Sequence, residues 1–213
     1  FPRRLTYAGA IMPSVGQNQL DADVRAAHVR WKGFYLVQEA RDQNENQVFR
    51  IAFGKTGPKY ETTVSEGLGF GMIIVAIMAG YDAGAREIFD GHWRFRLAHP
   101  SANDSRLMDW KAPGDGANAS AFDGDADIAY ALLLAEALWG NHGAVNYGAA
   151  FAEVVAGVLA STIGPQSRLP MLGDWVDPNG GKYNQNTPRT SDFMLGHFRA
   201  FGRATGDKAW TNV

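Results

Sequence analysis

Cysteine is absent from the 213 residues. Disulfide bonds, thiolate metal sites and a cysteine nucleophile are therefore excluded, whereas export is not, since many exported proteins of this size need no staple. Long apolar runs are missing as well. The longest, around 72–79, falls far short of the roughly 18 residues that a membrane span requires. Neither sign of charge dominates: the formal net charge is −2, with 20% charged residues. No Lys/Arg-rich run is present, which argues against nucleic acid or another polyphosphate as a partner. The amino terminus, Phe-Pro-Arg-Arg, lacks an initiating Met and the apolar heart of an export signal, and is expected to be that of a mature or trimmed chain.

Several catalytic signatures are also missing. There is no G-x-S-x-G elbow, no H-E-x-x-H, no P-loop and no G-x-G-x-x-G following a strand. His28, His92, His99, His142 and His197 show no paired ligand spacing, so neither a metal site nor a cofactor is expected.

What is present suits one domain, 1–213, with a sizeable core. The chain is 46% hydrophobic and 12% aromatic, with six Trp. Apolar periodicity predicts helices over 19–40, from near Ser65 through Ile77, and over 83–97, 127–139, 147–163 and 191–205. Leu20, Val24, Ala27, Trp31 and Phe34 would form the inner stripe of the first. Gly206 stands where helices favour a C-cap. The expected fold is all-α, with no alternating strand pattern. The connections 41–63, 98–122 and 164–190 are long against the usual ~4–6 residues, and they carry Trp, Tyr, Lys and Asp residues that suggest function.

The first candidate for chemistry is Thr63-Val-Ser-Glu-Gly-Leu-Gly-Phe-Gly-Met72. Ser65 suits an N-cap, which puts Glu66 in the first helical turn. Glu66 fits both a partner for the helix dipole and a catalytic acid. Gly67, Gly69 and Gly71 each weaken a helix by roughly 1 kcal/mol, so their alternation suggests close approach of a neighbouring helix or a ligand.

A second group, Asp123, Asp125 and Asp127, precedes a deeply apolar stretch. An EF-hand is excluded because its sixth and twelfth positions would be Ile128 and Leu134. Crowded carboxylates shift one another's pKa, which is useful where an acid and a base must differ, but each also suits a helix cap or a loop hydrogen bond. The third group is aromatic. Trp110 and Trp175 lie in polar loops, where exposed rings can stack on sugar faces. Trp31, Trp93 and Trp139 keep helical phase and are expected in the core.

Residues 63–72 resemble the T-V-S-E-G-x-G-Y-G-M segment of the family-8 glycoside hydrolases, the bacterial endoglucanase, chitosanase and lichenase group, with Phe70 in the Tyr position. Residues 121–139 resemble that family's A-[ST]-D-[AG]-D signature and the helix after it, departing at Phe122, where a hydroxyl is lost beside Asp123. The likeness extends through 107–110, Gly173-Asp-Trp175 and 191–213.

The resemblance implies an (α/α)6 barrel, of which these residues supply about the first six helices. It implies an inverting endo-acting enzyme, secreted or periplasmic and needing no cofactor, that cleaves a cellulose-like β-1,4-glucan polysaccharide, with chitosan, mixed-linkage glucan and xylan as the alternatives within the family. Glu66 would be the general acid and Asp123 the aspartate that holds the sugar at the cleavage point. Trp110 and Trp175 would be stacking platforms, with Tyr60, Asp125 and Asp127 as further substrate contacts. The family's general base lies beyond position 213, so a C-terminal segment or a second chain is expected to complete the barrel. The rivals are a binding module that has lost catalysis and a polysaccharide lyase. The second would want Tyr, His or Arg where these residues are acidic.

Overall fold

The computed structural model describes residues 1–2, 8–53, 62–113 and 118–213. Helices α1 (Gln17–Tyr35), α2 (Ser65–Met78), α3 (Ala85–Ala98), α4 (Phe122–Trp139), α5 (Tyr147–Ser161) and α6 (Leu195–Thr205) carry the fold. The six expected helices are there. Between them lie strands that periodicity did not reveal: β1 (Leu36–Gln38) pairs antiparallel with β2 (Phe49–Ile51), and β3 (Thr63–Val64) with β4 (Lys111–Ala112). Strands of two or three residues are too short for alternation to show.

Three boundaries differ from expectation by more than two residues, each for a local reason. The first helix ends at Tyr35 rather than 40, because Leu36 to Gln38 turn extended and pair with Ile51 to Phe49. Helix α4 begins at Phe122, five residues before the apolar run. Its first turn contains Asp123 and Asp125, where carboxylates suit the positive end of the helix dipole. The cap is Ala121, and no Asp side chain caps this helix. The final segment opens as a 3-10 turn, Thr190–Asp192, before α6, which ends as expected at Gly206 with φ +70°.

The core lies between α2, α3, α4, α5 and α6, and Leu68, Met72, Phe89, Phe122, Ile128, Leu132, Tyr147, Val154 and Phe201 are buried in it. Phe122 puts its ring edge-on to Phe198 of α6, so the residue that departs from the family signature packs in the core. Trp93 and Trp210 are buried, and Trp31 and Trp139 partly so.

Helices α2 and α4 meet almost backbone to backbone. A Cβ on Gly69 would stand 2.6 Å from Asp127 Cβ, and one on Gly124 would stand 2.6 Å from Ser65 Cβ and 2.7 Å from Ser65 C. A Cβ on Gly71 would strike Ile51 of β2 at 2.5 Å, while one on Gly67 would find ordinary room. The spaced glycines thus admit neighbouring protein. Outside the seam, Phe70 and Ile77 of α2 and Leu138 of α4 remain more than half exposed.

The expected inner stripe of α1 is corrected. Val24 and Phe34 are exposed, and the helix turns His28 and Asp21 inward. His28 stacks on Trp31, and its Nε2 lies 3.0 Å from Asp82 Oδ2, to which Lys32 Nζ also donates at 2.6 Å.

Candidate active site

The β3–β4 pair positions the first carboxylate. Thr63 faces Ala112 and Val64 faces Lys111, and the next amide, that of Ser65, donates to Trp110 O at 2.9 Å. The chain then turns into α2 with Val64, not Ser65, as the extended N-cap residue. Glu66 therefore stands in the first turn, one residue from a backbone bond to the loop that bears Trp110. Trp110 N–H in turn donates to Ala119 O at 2.8 Å.

The 162–189 connection supplies the opposite wall. Phe122 N–H donates to Leu172 O at 3.2 Å, tying the start of α4 to the loop bearing Trp175. Asp174, unnoticed in the sequence apart from its place in Gly-Asp-Trp, is the clamp between the loops. Its carboxylate accepts from Ser120 N at 2.8 Å, Ser101 Oγ at 2.5 Å and Asn103 Nδ2 at 3.3 Å, and its own amide donates to Ser120 Oγ at 3.2 Å. Polar loops of this length hold a shape only when their amides find such partners.

Glu66, Trp110, Trp175 and Arg189 line a cleft of about 530 Å³, floored by Ser120 and Leu172. Trp175 is half exposed, and its ring is braced by Tyr183 at 5.7 Å in an edge-on contact. Lys111 Nζ lies 5.9 Å from the Trp110 ring centre. Burial holds the Glu66 carboxyl above its ordinary pKa, and the Asp123 charge adds to the rise. Its own amide and the Arg189 cation oppose it. Glu66 Oε2 is buried without a hydrogen-bond partner. A carboxyl held in this way keeps its proton to higher pH than a solvated one.

The acidic trio divides. Asp123 Oδ1 accepts from Gly124 N at 3.0 Å and pairs with Arg189 Nη2 at 3.1 Å beside the cleft. Asp125 and Asp127, expected as substrate contacts, are corrected. Asp125 is fully buried and accepts from Met108 N at 2.9 Å, and Asp127 is buried and held 2.8 Å from His197 Nε2 of α6. On a helix, residues two apart point about 200° away from each other, so Asp123 and Asp125 cannot share a wall. Tyr60, with Lys55 and Lys59, lies outside the described residues. Arg189 was missed because an isolated Arg before a polar turn gives no periodic signal. Among the described residues no cluster of His, Asp or Glu could hold a metal ion, and no helix is long and apolar enough to cross a membrane.

Similarity to known proteins points the same way. The chain is 41% identical, over its full length, to a beta-glucanase of Niallia circulans, covering 51% of that protein. It is 37% identical over its full length to an endoglucanase of Bacillus sp. (strain KSM-330), covering 46% of it. The structure superposes on that of a beta-1,3-1,4-glucanase from Paenibacillus sp. X4 in its apo form with a TM-score of 0.86 at 37% identity, over 97% of this chain and 53% of the other. The chain thus spans about half the length of the curated relatives it matches. The sequence profile of glycosyl hydrolases family 8 matches residues 5–213, almost the whole chain, and with the cleft carboxyl and its two tryptophans this places the protein in that family.

Proposed function

We propose that this chain carries the acid half of an inverting endo-β-1,4-glucanase, acting on a cellulose-like polymer with Glu66 as proton donor. The observation that carries the reading is Glu66 itself: a carboxyl with raised pKa, one oxygen unpartnered, opening on a cleft walled by two tryptophans. Trp110 and Trp175 stack on the apolar faces of successive sugars and bring a glycosidic oxygen to Glu66. Glu66 gives that oxygen its proton as the bond to the anomeric carbon breaks. Asp123 holds the distorted sugar at the cleavage point.

Inversion needs a second carboxylate roughly 6.5–9.5 Å away to activate water. Asp123 is tied to Arg189 and Asp192 is fully buried, so we assign that base to a C-terminal half or second chain. The same half would cover Phe70, Ile77 and Leu138 and close an (α/α)6 barrel. A polymeric substrate that cannot enter a cell places this activity outside it or in the periplasm.

Glu66→Gln in the full-length protein should lower kcat on carboxymethyl cellulose by about 10²–10⁴-fold, with unchanged helical circular dichroism. Activity within tenfold of wild type would remove Glu66 from the acid role. Because the reaction needs Glu66 protonated, kcat/KM should fall as pH rises through its raised pKa. A second reading, mixed-linkage β-1,3-1,4-glucan, is favoured by the superposed glucanase at 37% identity. The ratio of kcat/KM on barley β-glucan to that on carboxymethyl cellulose decides between them.

A further inference from the structure

We propose that Arg189 is the positioning residue for Asp123, and that the buried carboxylate of Asp192 aims it. The inference rests on the glycosidase reading of the cleft. Arg189 Nε donates to Asp192 Oδ2 at 3.1 Å, while its Nη2 lies 3.1 Å from Asp123 Oδ1. The Asp192 side chain has no exposed surface, whereas that of Arg189 is 43% exposed. An exposed pair on its own would be worth little, because two long side chains must be ordered for a screened attraction. Here one end is anchored. Asp192 belongs to the 3-10 turn Thr190–Asp192, and its amide donates back to Arg189 O at 3.1 Å. Since the guanidinium is planar, fixing Nε also fixes the direction of Nη2.

The grip has a direction at the far end too. Both the Gly124 amide and Arg189 meet Asp123 at Oδ1. Oδ2 is thereby left as the oxygen for a sugar hydroxyl. The charged groups facing Glu66 are Asp123 from α4 and Arg189 from the 162–189 connection, and they act on it in opposite senses. Arg189 thus has two separable effects, one geometric through Asp123 and one electrostatic on Glu66.

Three variants of the full-length protein, assayed on carboxymethyl cellulose across pH, separate these effects. Arg189→Lys keeps the charge but not the fork. Its kcat should fall about 10- to 100-fold with KM little changed and the alkaline limb in place. Arg189→Met should lose at least as much kcat and shift the alkaline limb to higher pH, because Glu66 loses the cation and keeps Asp123. Asp192→Asn touches no cleft surface, yet should reproduce the kcat loss of Arg189→Lys. Should Arg189→Met fail to fold, the other two variants still decide the question. A kcat within twofold of wild type in Arg189→Lys and Asp192→Asn, beside an inactive Glu66→Gln control, overturns the inference alone. An active Glu66→Gln control removes Glu66 from the acid role only, whereas a wild-type protein that releases no reducing ends from either glucan removes the glycosidase reading and this inference with it.

Discussion

Helix α1 and the α2–α4 seam reverse what their sequences promise. α1 carries a regular apolar stripe and reads as an amphipathic helix with that stripe inward, yet Val24 and Phe34 face outward while His28 and Lys32 meet Asp82. α2 begins with three alternating glycines, poor helix formers, yet it lies at the centre of the fold against α4. Periodicity reports that a helix has two faces, but not which neighbour is present to receive them. Glycine at a tight crossing reports the neighbour itself, because the missing Cβ is the space that the other backbone occupies. Glu66 and Asp123 both sit at the tight crossing, where the two helix starts cannot drift apart.

Matched glycine substitutions test this contrast, and they should give the largest effect. In Gly124→Ala the new Cβ would lie 2.7 Å from Ser65 C, part of the backbone, so one helix start must move. We expect a loss of about 3 kcal/mol or more in urea unfolding, the upper end for overpacking, together with a drop in glycosidase activity as Glu66 shifts. Gly33→Ala in α1 meets nothing within 4 Å. It should gain about 0.5–1 kcal/mol from helix propensity and leave activity alone. Equal responses at the two positions would erase the distinction between seam and outer helix.

The next effect concerns the hidden carboxylate of the seam. Asp125 is fully buried. Its Oδ1 accepts the Met108 amide, two residues before Trp110, and burial pushes its pKa well above the ordinary value against the pull of that amide and of Arg96. Asp125→Ala leaves the Met108 amide and the buried Arg96 without this partner. It should cost about 2–3 kcal/mol, read from the urea midpoint. KM should rise as well, since the loop that presents Trp110 loosens. A normal urea midpoint would show that the loop is held by Asp174 and the β3–β4 pair alone.

Much of this was legible in the residues. Helix number, the close approach at Gly69, the Gly206 cap and the loop position of both tryptophans all follow from local rules. Glu66 stood out as a carboxyl at a helix start among glycines, but spacing alone left it open between dipole partner and acid, and the acid role came from the family resemblance. The division of the acidic trio was not, because taking the helix to begin at 127 left Asp123 and Asp125 in a loop, where spacing assigns no face. Once α4 starts at Phe122, the helical rotation alone sends Asp125 inward. Asp174, Arg189 and Asp192 escaped for a different reason. Each acts across a long sequence separation or from a turn with no period, and only the folded chain brings Ser101, Ser120 and Asp174 together.

The smallest effect belongs to α1. Burial raises the Asp82 pKa, but the hydrogen bonds from Lys32 and His28 together outweigh it, so the pKa lies below its ordinary value. A carboxyl with a depressed folded pKa stabilises the fold above its unfolded pKa, and that contribution is lost as pH falls through the folded value. Docking of α1 should therefore weaken in acid. Asp82→Asn keeps an oxygen for the Gly84 amide, which now donates to Oδ1 at 3.1 Å, and removes the charge that holds Lys32 and His28. We expect about 1 kcal/mol less stability at pH 7, and less difference from wild type below pH 4, measured by urea unfolding at both pH values. Activity should be unchanged, because the Lys32–Asp82–His28 contact includes none of the groups that line the cleft. A loss of activity from Asp82→Asn would mean that α1 braces the seam after all, and the contrast between the two regions would give way to a single mechanical unit.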